Sequence, residues 1–217
     1  MTHADPPLRE GRVEAEVGDE FPDLGLVLTE VPAPAAPRTP RAVRERMRGL
    51  SDRFRGARAV TMRQEPVPWA YRVFFRQIGF DPDERRTPIE QIALDRLRHG
   101  GFESRGLVSD ALLIATLETG VPVVAFDASR VQGVLTLRLT RAGEPLGGDG
   151  RKLAPRQLAI SDDRAVLAIL FGDAALDTLP TRTTERILLA AVRVKGVPAL
   201  SLEEALWSAA EVLAEGG

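Results

Sequence analysis

Gly120-Val121-Pro122-Val123-Val124-Ala125-Phe126-Asp127 is where the texture of the chain changes. Behind Pro122, four apolar residues run without interruption to an aspartate, which reads as a short, largely buried strand. Val134 to Leu139 and Ala165 to Phe171 repeat that texture downstream, with Gln157 to Ser161 as another short strand and Ile187 to Val192 as a further apolar run. Between them, Gly147-Gly148-Asp149-Gly150 predicts a turn. It is not a phosphate loop, because no lysine-serine or lysine-threonine pair follows it.

Upstream of Gly120 the spacing turns helical. Leu24 to Val31 is a strand candidate, and the proline-rich Pro32 to Pro40 crossing cannot be helix interior. A helix follows, with Thr39 as its expected cap and Pro40 in the first turn. Val43, Met47, Leu50 and Phe54 then form one apolar stripe. A second helix is predicted over Pro68 to Ile78, with Trp69, Val73 and Phe74 sharing a buried face and Tyr71 and Arg72 flanking it. Thr87-Pro88-Ile89-Glu90 has the form of a capping box, opening a helix that should bury Ile92, Ala93, Leu94 and Leu97 in part. Leu107 to Leu117 is another helical segment, and Ser201-Leu202-Glu203-Glu204 caps a last one ending at Leu213. Helices first and strands later predict a mixed α+β fold: a sheet-based α/β sandwich wrapped by helices, without the alternation of a doubly wound sheet. Residues 1–19 read as a flexible segment, and 20–217 as one domain.

Composition narrows the chemistry. The 217 residues are 44% hydrophobic with a net charge near -2, which predicts a soluble, cytoplasmic protein with no membrane segment. No cysteine is present, so disulfides, thiolate ligands and thiol nucleophiles are excluded. The two histidines are His3 and His99, too few for a multi-histidine metal site, and no metal or cofactor is expected. Lys152 and Lys195 are the only lysines; arginine carries the rest of the positive charge. Arg41, Arg44, Arg48 and Arg55 are the candidate RNA-binding residues, since guanidinium groups match phosphate oxygens. A solvated helix face is the plainer reading of the same run.

Trp69-Ala70-Tyr71, Arg86-Thr87-Pro88-Ile89-Glu90, Leu107-Val108-Ser109-Asp110, Gly120-Val121-Pro122, Ala125-Phe126-Asp127, Ile160-Ser161-Asp162 and Phe171-Gly172 carry a resemblance in their order and spacing. Over Pro68 to Val194 the chain resembles the tRNA-editing domain of the beta subunit of bacterial phenylalanyl-tRNA synthetase, and the short stand-alone proteins built from it. The resemblance implies an editing-type cavity, with hydrolysis of an aminoacyl-tRNA ester and no aminoacylation. Three polar pocket positions of that family fall here on Glu103, Val124 and Ala190, so the partners of a tyrosine hydroxyl are replaced. The candidate pocket is Glu103, Ser109, Asp110, Val124, Asp127, Phe171, Gly172 and Ala190. Asp127 can also serve a turn by accepting backbone amides, and Asp110 can cap nearby backbone or pair with Arg86 or Arg105. Gly172 reads as a close-approach position. The partners implied are tRNA or aminoacyl-tRNA; the alternative is a non-catalytic module holding a small ligand or a protein.

Overall fold

The structure, a computed structural model, describes residues 5–35, 38–54, 56, 60–148 and 150–216. In chain order the elements are β1 (Leu8–Glu10), β2 (Arg12–Val13), α1 (Ala15–Glu20), β3 (Gly25–Pro32), α2 (Arg41–Arg53), α3 (Pro66–Gln77), α4 (Pro88–His99) and α5 (Leu107–Thr119). They continue as β4 (Val123–Asp127), β5 (Thr136–Leu139), β6 (Leu158–Ser161), β7 (Val166–Ile169), β8 (Arg186–Arg193) and α6 (Ala199–Ala214). No helix among the described residues is long and apolar enough to cross a membrane.

Two four-stranded sheets result, wrapped by helices and not doubly wound. The first has the order β1-β3-β8-β4 and is antiparallel throughout. Its central strand β8 pairs with β3 from Arg186↔Pro32 to Arg193↔Gly25, and with β4 from Ile187↔Asp127 to Ala191↔Val123. Ile187 to Val192 are all buried, so both faces of β8 are covered. That is why its sequence is continuously apolar instead of alternating. The second sheet, β2-β5-β6-β7, is antiparallel except for the β2–β5 pair. Leu158 and Ile160 face the main core, whereas Ala159 joins a small separate cluster with Leu146, Leu153, Val166, Ile169 and Ala175. This is the period-two alternation of a strand.

Of the segment 1–19 expected to be flexible, the structure describes residues 5–19, and these carry two strands and α1. Leu8–Glu10 pairs with β3 in the first sheet, and Arg12–Val13 pairs with β5 in the second. Gly11 is the crossing between them: its amide donates to Leu26 O (2.7 Å), and the Arg12 amide to Leu135 O (2.8 Å). A Cβ at Gly11 would stand 2.9 Å from the Leu135 carbonyl oxygen and 3.0 Å from the Leu26 side chain, so only glycine fits without displacement. Runs of two or three residues are too short to distinguish such strands from coil in the sequence.

The α2 stripe and the opening of α4 follow the sequence pattern. Val43, Met47, Leu50 and Phe54 are all buried along α2. At the start of α4, Thr87 and Glu90 form the reciprocal capping box. In the helix near Pro68, Phe74 is buried as expected, but the buried face is shifted. Trp69 is 47% exposed, with Arg76 over its ring, while Tyr71 and Arg72 are buried. Tyr71 can go inside because its hydroxyl donates to Val192 O (2.7 Å), and Arg72 because it pairs with Glu90 and with Asp83 (2.8 Å). Buried polar groups need such partners. On α4, Leu97 is 47% exposed and Arg96 is buried in its stead. The last helix starts at Ala199 behind Pro198, two residues before the expected Ser201 cap. Thr39 likewise makes no cap; its hydroxyl is used by Asp110.

Two outcomes are expected. Tyr71→Phe removes a buried bond that ties α3 to the central strand, and should lower stability by about 1 kcal/mol, read as a lower urea midpoint at unchanged m. Asp127 accepts from Ser129 N (2.9 Å), Ser129 Oγ (2.7 Å) and Thr184 Oγ1 (2.6 Å) at the exit of β4. Burial works to raise its pKa, but the Thr184 and Ser129 bonds outweigh it and hold the group below the usual carboxylate range. A depressed folded-state pKa contributes stability that is complete above the unfolded value of about 3.9 and is lost as pH falls below it. Urea titrations from pH 7 to pH 3 should show that loss, and Asp127→Asn should be less stable at pH 7 with a shallower decline.

Candidate functional site

One cavity of about 530 Å³ lies where α4, α5, the first residues of β4 and the β6–β7 strands converge. Its inner wall is apolar: Leu112 and Leu113 of α5, Val123 and Val124 of β4, and Ile160, Ala168 and Leu170 from the second sheet. Thr116 also reaches it, with its hydroxyl already donating to Leu112 O (2.8 Å). The opposite wall is α4, whose Pro88, Gln91, Ile92, Asp95, Arg96 and His99 recur at three- and four-residue steps along one face. Gly101, Phe102, Glu103 and Arg105, in the link from α4 to α5, form a lip. The cavity is therefore apolar inside and charged at its edge.

Six of the eight candidate residues line this cavity: Glu103, Ser109, Asp110, Val124, Phe171 and Gly172. Asp127 and Ala190 do not. Asp127 lies three residues beyond Val124, roughly 10 Å along a strand at about 3.3 Å per residue and on the alternate face. It caps the turn at Ser129, the structural one of its two expected roles. Ala190 is the cross-strand partner of Val124 but sits on fully covered β8 and is 0% exposed. Sequence position shows which residues are neighbours, not which of them the cavity reaches.

Asp110 is 1% exposed and accepts from Thr39 Oγ1 (2.5 Å), Ser104 Oγ (2.5 Å) and the Arg105 amide (3.0 Å). Its partners are thus hydroxyls and an amide, not the guanidinium of Arg86 or Arg105. The effect is to fasten the lip to the start of α2. Phe171 has left-handed backbone (φ 55°), a strained state for a side chain of its size. Ring contacts with Tyr71 (5.8 Å), Phe74 (6.2 Å) and Phe75 (5.3 Å) hold it there. At the next residue, a Cβ on Gly172 would come 3.1 Å from Ile169 Cγ2.

The arginine helix borders the same site. Ser51 O near its end accepts from Arg96 Nε (3.0 Å), and Phe54 packs edge-on against Phe102 at 6.4 Å. At ~3.6 residues per turn, Arg41, Arg44 and Arg48 share one stripe, and Ser51 falls between that stripe and the buried one. The stripe therefore lies on the flank of α2 that meets α4 and the lip. Arg46 points to the other flank, where it pairs with Glu118 (2.7 Å) and Glu211 (3.2 Å). Of the stripe, Arg41 pairs with Glu45 (2.7 Å), Arg44 donates to Thr39 O (2.6 Å), and Arg48 is exposed. Arg55 is outside the described residues.

Sequence reading missed Arg96, Asp95 and His99 as lining residues. The signal was the face repeat along α4, which apolar periodicity assigned to Leu94 and Leu97. His99 Nδ1 lies 2.8 Å from Asp95 O in the last turn.

The chain is similar to phenylalanine–tRNA ligase beta subunits. It is 36% identical to that of Streptomyces avermitilis over 120 residues, covering 52% of this chain and 14% of the relative. The Nitrosococcus oceani subunit is 30% identical over 160 residues, covering 72% of this chain and 15% of the relative. That of Xanthomonas campestris is 40% identical over 116 residues, covering 51% and 14%. The matches thus span about one seventh of those relatives' length. The B3/4 domain model matches residues 70–211, which run from α3 through the cavity and β8 into α6, and the chain belongs to the B3/4 domain family.

Proposed function

We propose that the cavity hydrolyses the ester of an aminoacyl-tRNA. The observation that carries this reading is the polarity of the cavity: an apolar inner wall for an amino-acid side chain, a charged lip for the ester end, and an arginine stripe on the adjoining flank of α2. The side chain enters against Leu112, Leu113 and Val124, leaving the ester carbonyl at the mouth. Water adds to the carbonyl carbon, the bond to the ribose oxygen breaks, and that oxygen takes the proton released by the water. Free amino acid and a terminal hydroxyl result. With no cysteine in the chain, no thiol shares in this. Glu103, exposed on the lip, offers a carboxylate to the α-ammonium group. Arg41, Arg44 and Arg48 offer guanidinium groups to the RNA backbone.

The wall that would meet the tip of the side chain is apolar apart from one hydroxyl. Val123, Val124 and Ile160 line it, and the Thr116 hydroxyl, whose proton goes to Leu112 O, can only accept. A phenol hydroxyl placed there would lose about 1–3 kcal/mol of hydrogen bonding to water. The cavity is therefore expected to favour apolar side chains over tyrosine.

A deacylation screen across charged tRNAs tests the reading. Release of an apolar amino acid, about ten-fold or more faster than of tyrosine, is the expected result. Glu103→Gln should raise KM several-fold. Asp110→Asn, which loosens the lip, should lower kcat/KM and also the melting temperature. Absence of release from every charged tRNA, with no salt-sensitive tRNA binding, would sink this proposal and leave a cavity that holds a small ligand or a protein partner.

A further inference from the structure

Three described arginines are buried, and one of them lacks a counter-charge. Arg72, 4% exposed, is held by Glu90 and Asp83; Arg138, 9% exposed, is held by Glu144. Arg96 is also 9% exposed, yet its one bond among the described residues runs from Nε to the Ser51 carbonyl (3.0 Å). Its two terminal nitrogens have no partner there. They are not sealed off either, since among the described residues the one buried side-chain polar atom left without a partner is Arg72 Nε. Arg96 lines the cavity, so its side chain stands at the cavity wall with this edge unpaired.

A buried cation without an anion is unfavourable, and the usual remedy is a carboxylate held by hydrogen bonds. The acids lining the cavity do not supply one. Asp110 is engaged by two hydroxyls and an amide, Asp95 accepts from Gln91 Nε2 (2.9 Å), and Glu103 is exposed on the lip. Arg86 and Arg105 also line the cavity, and neither makes an ion pair among the described residues.

We infer that Arg96 anchors a phosphate-binding subsite inside the cavity, with Arg86 and Arg105 as its outer cations. The bond to Ser51 fixes the guanidinium plane, leaving a two-nitrogen edge that matches two oxygens of one anion. Phosphate is favoured over a carboxylate by the neighbourhood. Ser51 belongs to the helix that carries Arg41, Arg44 and Arg48, so the subsite continues a cationic path along α2. Only the carrier of the phosphate, the terminal nucleotide of an RNA, rests on the deacylase reading.

Calorimetric titration of the whole chain at low ionic strength with adenosine 5′-monophosphate, adenosine and 4-methylpentanoate tests this without any catalysis. The expected result is that the monophosphate binds about ten-fold or more tighter than adenosine. Arg96→Gln should abolish the advantage, and Arg96→Lys, which keeps the charge without the fork, should restore only part of it. Arg105→Gln, whose side chain makes no hydrogen bond among the described residues, should weaken the monophosphate several-fold with an unchanged melting temperature. Arg156→Gln, whose residue pairs with Glu16 on the surface, should leave all three affinities unchanged. Equal affinity for the monophosphate and adenosine, or an undiminished advantage in both Arg96→Gln and Arg105→Gln, would overturn the subsite. Tighter binding of 4-methylpentanoate would reassign it to a carboxylate and overturn it as well. Phosphate preference without release of any amino acid would remove the deacylase reading and keep the subsite; release without that preference would do the reverse.

Discussion

Everything in this fold is arranged around a strand that has no free side. β8 is paired along both edges and covered on both faces, so its six residues from Ile187 to Val192 can carry no polar side chain. Its backbone groups are used by β3 and β4, and the Val192 carbonyl takes the Tyr71 hydroxyl. The polar groups the protein needs near its centre therefore come from elsewhere. They come from α4, from the link into α5, and from the start of α2, which meet beside the first residues of β4 instead of at the middle of β8.

That arrangement gives the cavity its two characters. Strands share the inner wall with Leu112 and Leu113 of α5 and supply only apolar side chains there, with β4 and β8 tied in register and Val124 facing the same way as Ala190. Helices and a short link supply the edge, where Asp110 gathers Thr39, Ser104 and the Arg105 amide into one knot. Arg96 stands between the two zones, buried like the wall and charged like the edge.

Much of this could be read from the residues alone, for reasons that differ by element. The α2 stripe and the capping box at Thr87 and Glu90 are local patterns whose physics is complete within one or two helical turns, and both were legible. The apolar runs at β4, β7 and β8 were legible as well, because a doubly covered strand leaves no room for polar residues. The side of α3 that goes inward was not. Trp69 and Tyr71 are both aromatic, and the choice between them is made by the Val192 carbonyl, 121 positions away from Tyr71 in sequence. Arg96 was hidden for the same reason: a cation in an apolar stretch reads as surface until Ser51 is seen beside it. Six of the eight candidate pocket residues share the cavity, and the two that do not lie on strands whose register and cover the sequence leaves open.

The crossing at Gly11 has a consequence for how this chain can be handled. The first strand shields the outer side of β3 and the second shields the outer side of β5, each by only two or three residues. Cutting the chain after Val13 would uncover two ladders of unpaired amides and carbonyls on different sheets of one molecule. Bare edges of this kind recruit strands from other chains. Two on one molecule would make it divalent, so the trimmed protein would be prone to grow into open-ended assemblies instead of stopping at a closed pair.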